Sequence, residues 1–289
     1  MAGAQDCNGP KIMAEVAVPH ERPVPHADRW LASGAKDLIE GLANWRLWSM
    51  LGWNDIRLRY RRSALGPFWI TISMAIFIVL LGAIYSQLFH QDLAVFLPYI
   101  AVGLITWGFI SGTTTEACNQ FIENTAIIRQ LHLPFTVYAM RMVWRSFIVF
   151  LHTAVLIVPI GIFFHIHAGL TALLVFPGML LVVLNQIWMS IVVGVIATRY
   201  RDTAQLVATG IQISMFVTPI MWPVSAISDA RFIVKINPFY HLIELVRAPL
   251  LGDVAELASW VTVLAMCGIG YVLAALLLTR AHRRLVYWL

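Results

Sequence analysis

The feature that most constrains this chain is a series of six apolar segments, each close to the length of a membrane span. A helix needs about 20 consecutive apolar residues to cross the hydrocarbon core of a bilayer. Long unbroken apolar runs also exclude a transmembrane barrel, whose strands alternate apolar and polar residues. The sequence therefore predicts an all-helical, polytopic membrane protein with six transmembrane helices: Phe68–Phe89, Phe96–Cys118, Phe147–Phe164 (with an earlier start at Val137 left open), Leu170–Thr198, Ala204–Trp222 and Leu257–Thr279.

The composition fits a chain that is surrounded by lipid. Hydrophobic residues make up 60% of the 289 residues and charged residues only 12%, whereas roughly a quarter of a typical soluble domain is charged. The net charge of +5 would also fit nucleic-acid binding, but the basic residues lie mostly beside the apolar segments, where membrane topology accounts for them. We therefore expect membrane lipid as a partner, and no nucleic acid.

Most of the arginines that flank the apolar segments lie in alternate connections. The exception is the connection Pro223–Glu256, in which Arg231, Lys235 and Arg247 are balanced by four acidic residues. The connections His90–Val95 and His165–Gly169 contain no Lys or Arg. Because basic residues are retained on the cytoplasmic side of a membrane, we predict a multi-pass protein of the bacterial inner (cytoplasmic) membrane with both termini cytoplasmic. The arginines on the predicted cytoplasmic side are Arg57, Arg59, Arg61, Arg62, Arg129, Arg141, Arg145, Arg199, Arg201, Arg280, Arg283 and Arg284.

Two segments precede the first predicted span. Residues 1–29 contain four prolines among polar and charged residues and no apolar region typical of a signal peptide, so we predict a flexible cytoplasmic tail. Residues 30–67 combine tryptophans with arginines, as helices that lie in the membrane interface do. We predict an amphipathic interfacial segment there, with a soluble helical hairpin as the alternative. Residues 68–289 form the predicted transmembrane domain.

The connection Pro223–Glu256 is richer in apolar residues than a solvated loop. Pro238 and Pro249 bracket a short stretch with a helical pattern. Irregular backbone at membrane depth is tolerated only where protein or a water-filled cavity covers it. We therefore predict re-entrant periplasmic helices between the fifth and sixth spans, beside a conduit.

The sequence lacks the motifs of an enzyme. It contains no G-x-x-x-x-G-K-[ST] phosphate loop and no G-x-S-x-G or H-E-x-x-H motif. His165 and His167 have no third ligand nearby in the sequence, so we expect no metal site, no catalytic residue and no cofactor in this chain. When the third span is taken to begin at Phe147, Glu116 is the only Asp, Glu, Lys or Arg in the six predicted spans. Ion-coupled carriers need such a residue near the membrane midplane, so we expect the energy to come from a separate ATPase.

The fifth predicted span carries neutral polar residues on one face. Gln205, Thr209, Gln212 and Phe216 recur at spacings of three and four residues, which place them together on a helix. Two interpretations are open. The face lines a hydrated pore with an aromatic edge, or it forms hydrogen bonds between helices.

Five short segments, in order along the chain, carry a family resemblance. They are Leu58–Trp69, Asn124–Pro134, Tyr200–Asp202, Thr218–Pro223 and Asn237–His241. As an ordered set they closely resemble the type-2 ABC exporter permeases, and they are most similar to the O-antigen polysaccharide branch. The resemblance covers roughly Trp53 to the C-terminus, and residues 1–29 have no counterpart in it.

This resemblance implies a homodimer docked on two copies of a separate ABC ATPase, which binds ATP and Mg²⁺. It implies the export of a lipid-linked polysaccharide across the inner membrane, with O-antigen as the cargo and lipopolysaccharide biosynthesis as the context. Exporters of capsular polysaccharide, teichoic acid and small lipophilic cargo share the broad fold, so these cargoes are alternatives. Alternatives of a different class are a membrane-embedded glycosyl or acyl transferase and a passive channel or receptor subunit.

The resemblance also implies roles for three groups of residues. The connection after the second span is the coupling helix of the family, and the Arg199–Thr203 connection is a smaller contact; the coupling residues are Glu123, Asn124, Arg129, His132, Arg201 and Asp202. The cytoplasmic entrance, which meets the cargo's pyrophosphate or anionic lipid, contains Arg57, Arg59, Tyr60, Arg61 and Arg62. The periplasmic exit gate contains Asn237, Phe239, Tyr240 and His241.

Overall fold

The computed structural model describes residues 28–61, 66, 68–166, 169–224, 231–281 and 284–289. Within these ranges the regular elements are all helices, which confirms the all-helical prediction. They are α1 (Asp28–Ala43), α2 (Trp45–Tyr60), α3 (Phe68–Leu88), α4 (Leu93–Ala117), α5 (Gln120–Glu123), α6 (Thr125–Gln130), α7 (Phe135–Ala154), α8 (Ile157–Phe163), a 3-10 turn (Leu170–Leu174), α9 (Val175–Arg199), α10 (Thr203–Val217), α11 (Arg231–Ile236), α12 (Pro238–Leu250), α13 (Leu257–Ala281) and α14 (Leu285–Trp288).

Within the described ranges, five helical segments are long and apolar enough to cross a membrane, which confirms a multi-pass membrane protein. The third begins at Phe135, directly after Pro134 in extended backbone. Arg141 and Arg145, which the sequence interpretation placed in the preceding connection, therefore lie inside α7. The five segments are Phe68–Leu88, Leu93–Ala117, Phe135–Phe163, Leu170–Arg199 and Leu257–Ala281.

The fifth predicted span is shorter than the sequence suggested. We predicted a helix over Ala204–Trp222, but α10 ends at Val217 after 15 residues, which is about 22 Å at 1.5 Å per residue. The next residue, Thr218, is extended (φ −83°, ψ 134°) because it precedes Pro219, and the proline ring disfavours helical backbone at the residue before it.

Helices α4 and α9 form the centre of the bundle. Ile100, Ala101 and Ile110 of α4 and Val182 and Ile191 of α9 are fully buried, and α7, α12 and α13 pack around them. Helices α3 and α10 lie at the periphery, and α10 has no buried residue along its length. Because lipid tails are as apolar as the side chains, such packing is stabilised mainly by dispersion contacts and interhelical hydrogen bonds.

The N-terminal helix α1 is anchored to the bundle rather than free of it. The buried Asp37 carboxylate accepts hydrogen bonds from the backbone N–H groups of Phe135 and Thr136, both at 2.9 Å, and from the Thr136 hydroxyl at 2.7 Å. These bonds satisfy N–H groups that the first turn of α7 leaves unpaired. Helix α1 also packs on α13. It begins at Asp28, inside the predicted tail, and residues 1–27 lie outside the described residues.

Helix α2 lies directly on α7. A Cβ at Gly52 would come within 2.9 Å of the Trp144 ring and 3.0 Å of the Arg141 carbonyl oxygen, so only glycine permits this approach. Trp45 and Trp53 on the rest of α2 are exposed, a pattern that suits an interfacial helix. The interfacial location of residues 30–67 stays a prediction.

Candidate functional site

A groove of about 630 Å³ lies between α3, α4, α7 and α10. Arg59 Nη2 lies 3.5 Å from Glu116 Oε1, and this pair defines the charged end of the groove. The buried Thr113 hydroxyl has no hydrogen-bond partner among the described residues, so it is available to water or a polar ligand. The other polar lining residues are all neutral: Ser111, Thr115, Asn119, Ser146 and Thr153.

The predicted pore-lining residues lie together on α10, which borders this groove through Ile211. Gln205, Thr209, Gln212 and Phe216 are all exposed. None of the three polar side chains forms a hydrogen bond with another described residue. Hydrogen bonding between helices therefore explains this face only if a second copy of the chain supplies the partners.

A network of mostly charged side chains lies beside the charged end of the groove. We call it the charged junction, and its members are Asp55, Arg59, Glu116, Asn124, Arg141 and Arg145. The Arg141 guanidinium donates two hydrogen bonds to the Asp55 carboxylate, from Nε at 2.7 Å and from Nη2 at 2.6 Å. Its third donor, Nη1, bonds Asn124 Oδ1 at 3.0 Å. Bidentate arginine–carboxylate pairs have a fixed geometry and are among the stronger hydrogen-bonded contacts. Arg141 therefore joins α2 to the connection that follows α4.

Arg145 extends the charged junction to the groove. Its Nη1 donates to Asp55 Oδ2 at 3.2 Å, and its Nη2 donates to Glu116 Oε1. Glu116 also accepts a hydrogen bond of 3.2 Å from the Ser146 hydroxyl. The side chains of Asp55, Arg141 and Arg145 are only 13%, 18% and 15% exposed, so the junction is partly desolvated. The sequence analysis did not predict any of these three as site residues.

The predicted coupling residues occupy two separate connections. The segment 118–134 between α4 and α7 contains α5 and α6, and we call it the α5–α6 connection. Within it, Asn124 belongs to the charged junction, whereas Glu123, Arg129 and His132 are exposed. Arg201 and Asp202 are exposed in the turn between α9 and α10.

The C-terminal helix α14 packs against both α6 and α9. The Arg199 guanidinium lies 5.1 Å from the centre of the Tyr200 ring and 5.2 Å from that of Trp288. The structure thus brings the two predicted coupling connections near one another.

The predicted entrance residues lie at the C-terminal end of α2. Arg59 reaches the charged end of the groove, whereas Arg57 and Arg61 are exposed. The buried Tyr60 hydroxyl has no hydrogen-bond partner among the described residues. Arg62 lies outside the described residues.

Two of the predicted exit residues hold α12 in place. Asn237 Oδ1 accepts hydrogen bonds from the backbone N–H groups of Phe239 and Tyr240, and its Nδ2 donates to the Thr218 hydroxyl at 2.8 Å. An asparagine at this position satisfies N–H groups that the helix start leaves unpaired. His241 is buried, with Nδ1 2.9 Å from the Ser259 hydroxyl.

The other two exit residues are half-buried aromatics. Phe239 packs edge-on against Trp107 of α4, with ring centres 5.4 Å apart. Burial, and secondarily the nearby Glu244 carboxylate, raise the pKa of Tyr240 to about 12, so its phenol stays neutral at physiological pH.

A buried arginine that the sequence analysis did not single out anchors α12 to α4 and to the segment that follows α10. Arg247 is 2% exposed. Its Nη2 donates to Glu244 at 2.6 Å, its Nη1 donates to the Pro219 carbonyl oxygen at 2.8 Å, and its guanidinium lies 4.0 Å from the centre of the Tyr99 ring. A buried charge is tolerated only when it is paired and hydrogen-bonded, and these contacts meet that need.

The described residues contain no group of three or more side chains that could hold a metal ion; His167 lies outside them. The described helices that are long and apolar enough to cross a membrane, together with the groove beside them, define a helical, multi-pass membrane protein. Residues 46–251 match the family model of the ABC-2 type transporters, and the chain belongs to this family.

Curated relatives carry a more specific name. An O-antigen export system permease protein RfbA from Klebsiella pneumoniae is 24% identical over 195 residues, which cover 65% of this chain and 74% of the relative. The protein of the same name from Myxococcus xanthus is 21% identical over 198 residues, 67% of this chain and 76% of the relative. The chain is therefore a membrane transport subunit rather than an enzyme, and its family implies an ABC ATPase as partner.

Proposed function

We propose that this chain is the transmembrane permease subunit of an ATP-driven exporter that moves a lipid-linked polysaccharide, O-antigen in particular, across the bacterial inner membrane. The names of the curated relatives support this cargo. The observation that carries the proposal is a surface without charge along most of its length. It is formed by the groove, whose largely apolar lining carries neutral hydroxyl and amide groups, and by the exposed polar face of α10.

A neutral polar surface suits a long glycan. Hydroxyl and amide groups exchange hydrogen bonds with sugar hydroxyls and with bridging water at little net cost. Charged groups would form stronger bonds, and tight binding at each sugar would slow translocation. The hydroxyls of Ser111 and Thr115 in the groove and the amides of Gln205 and Gln212 on α10 meet this requirement. The charged side chains among the described lining residues, Arg59 and Glu116, lie at one end.

The transport path is proposed to run between two copies of the chain. The polar face of α10 has no partner within the described residues, and a homodimer presents this face twice. Helix α10 then serves as the short fifth span and completes a set of six. Both termini of the chain are cytoplasmic. The exporter also contains two ABC ATPase subunits, which bind ATP and Mg²⁺, and this chain binds no cofactor.

The remaining predicted sites follow from this arrangement. Arg57, Arg59, Tyr60 and the neighbouring Arg61 and Arg62 meet the anionic group of the lipid-linked cargo at the cytoplasmic entrance. The α5–α6 connection and the turn at Arg201–Asp202 contact the ATPase. Helices α11 and α12 re-enter the outer leaflet, and the residues of the exit gate lie where α12 begins: Asn237, Phe239, Tyr240 and His241.

Co-purification tests the proposed function. The chain is expressed with its partner ABC ATPase. A variant ATPase that binds ATP but does not hydrolyse it is the comparison, and extracted lipids are analysed by mass spectrometry. We expect a polyprenyl-linked glycan to accumulate on the arrested complex. Recovery of a capsular or teichoic-acid precursor instead would change the cargo, and glycan modification by the purified chain alone would indicate a transferase.

A further inference from the structure

We propose that the charged junction transmits movement of the α5–α6 connection to α2 and to the charged end of the groove, with Arg141 and Arg145 as its positioning residues. This inference rests on the proposed function, because it assumes that an ATPase moves that connection. It assigns a role to two partly buried arginines and one aspartate, none of which lines the groove.

The first part of the junction connects α5–α6 to α2. Nε, Nη1 and Nη2 of Arg141 all donate hydrogen bonds, and their acceptors are the Asp55 carboxylate on α2 and the Asn124 side chain after α5. Asn124 is itself held to the connection, since its Nδ2 donates to the Gln120 carbonyl oxygen at 2.7 Å. A displacement of α5–α6 therefore pulls on Asp55 through one planar guanidinium.

The second part connects α2 to the groove. Asp55 is shared with Arg145, which also bonds Glu116. Glu116 in turn bonds the Ser146 hydroxyl and faces Arg59. Because Glu116, Arg59 and Ser146 all line the groove, a shift of Asp55 changes the position of the groups at its charged end.

The junction also has space in which to rearrange. A second cavity, of about 180 Å³, adjoins it between the end of α4, the α5–α6 connection and α7. Three buried polar atoms of its lining residues, Tyr138 Oη, Gln120 Oε1 and Arg145 Nε, have no hydrogen-bond partner among the described residues. Unpaired buried groups need a partner in some state of the protein or in water, and here they offer Arg145 an alternative set of contacts.

A free anion site explains the arginines less well. In the charged junction Arg59, Arg141 and Arg145 face the carboxylates of Asp55 and Glu116. Each guanidinium thus already has a carboxylate partner within the chain, whereas anion-binding arginines keep most of their donors directed at the ligand. The contacts favour a link between helices.

The test measures movement and transport separately. Spin labels are placed at the exposed residues Ile127 on α6 and Leu58 on α2, as Ile127→Cys and Leu58→Cys in a chain that lacks the native cysteines. The label separation is measured by pulsed electron paramagnetic resonance in the complete complex with its ATPase, without nucleotide and after vanadate trapping. Arg141→Gln is compared with Arg46→Gln, an exposed arginine on the same helix as Leu58 that lies outside the junction.

We expect trapping to leave the label separation narrow and unchanged in the wild type and in Arg46→Gln, because the junction makes α2 and α6 move together. In Arg141→Gln we expect the separation to broaden and to change on trapping, because α6 then moves without α2. ATP hydrolysis should stay within about twofold, while transport per ATP falls about tenfold. Asp55→Asn should have the same effect, and the double variant should be no worse than either single variant, as for residues acting in one network.

A nucleotide response in Arg141→Gln equal to that of the wild type overturns the proposal, and so do additive effects of Asp55→Asn and Arg141→Gln. If Arg141→Gln does not assemble, Arg141→Lys, which keeps the charge but not the bidentate bond, is measured in the same way. The label separation does not depend on the cargo. If the label separations behave as expected but no variant, nor the wild type, transports glycan, the proposed function is rejected and the role of the junction is not.

Discussion

Helices α9 and α10 follow one another in the chain and both carry amides, yet they use them in opposite ways. Asn185 and Gln186 of α9 are fully buried. Within α9, Asn185 donates to the Leu181 carbonyl oxygen at 2.9 Å and accepts from Trp188 Nε1 at 2.9 Å. Between helices, Asn185 donates to the Val263 carbonyl oxygen of α13 at 3.3 Å, and Gln186 accepts from the Thr114 hydroxyl of α4 at 3.4 Å. On α10, Gln205 and Gln212 are exposed and bond no other described residue.

This difference separates two roles that sequence patterns cannot distinguish. The amides of α9 find their partners inside the chain, so they stabilise the packing of α9 against its neighbours. The amides of α10 find none, so their removal should leave the folded chain intact and change what lies outside it: water, cargo or a second copy. Substitutions on the two helices should therefore affect different measurements.

The largest effect is expected on α10 from Gln212→Trp. An indole at this exposed position adds bulk to the proposed path in both copies, so surface glycan should fall by about a hundredfold, equivalent to roughly 2.7 kcal/mol on the transport barrier. Gln212→Leu removes polarity without adding bulk and should reduce export less, by about fivefold.

The matched control for the tryptophan is Leu180→Trp, at an exposed position on α9. It should export normally. Surface glycan is quantified together with the amount of detergent-stable dimer. If both Gln212 variants lose dimer in proportion to glycan, the α10 face holds subunits together and does not line the path.

A moderate effect on stability is expected on α9 from Asn185→Leu. This change leaves the Trp188 N–H unpaired in the interior and removes the bond to Leu181, so it should lower the free energy of unfolding by about 1–2 kcal/mol. Thermal unfolding in detergent should show the loss, with export per folded molecule unchanged. The corresponding change on α10, Gln205→Leu, should leave the unfolding midpoint unaltered; equal destabilisation by both would remove the distinction between the helices.

The smallest effect is expected outside the membrane segments, where the same contrast applies. Arg129 is exposed on α6, as expected for a residue that contacts another subunit. Arg129→Glu should reduce export by about threefold through charge repulsion at the ATPase contact, while the spans stay folded. Lys36→Glu, which reverses an exposed charge on α1, is the control. Wild-type export by an Arg129→Glu complex that assembles normally would remove Arg129 from the coupling surface.

Much of the fold could be predicted because it depends on local sequence. Long apolar segments predicted five of the spans, and the helical periodicity of Gln205, Thr209 and Gln212 correctly placed them on one face. The end of α10 was also readable in principle, since Thr218 precedes Pro219 and the residue before proline avoids helical backbone. Overlooking this rule made the fifth predicted span too long.

The charged junction could not be predicted because its contacts are distant in sequence. Asp55 meets Arg141 across 86 residues, and only the packing of α2 on α7 brings them together. In the sequence, Arg141 and Arg145 fit the pattern of cytoplasmic arginines in a connection between spans. Their pairing with carboxylates depends on α7 beginning at Phe135, which places both arginines inside that helix. Arg247 was missed for the same reason, since its partners at Pro219 and Tyr99 lie on other elements.

The most direct test of the neutral path is the reactivity of single cysteines along α10 in the assembled exporter. Gln205→Cys, Thr209→Cys and Gln212→Cys are compared with Leu206→Cys and Ile213→Cys, which are equally exposed in the single chain, in a background without Cys7, Cys118 and Cys267. A membrane-impermeant thiol reagent should label the first three rapidly and the other two slowly, and bound glycan should protect the first three. Labelling of all five at one rate, or of none, would contradict a hydrated path along this face.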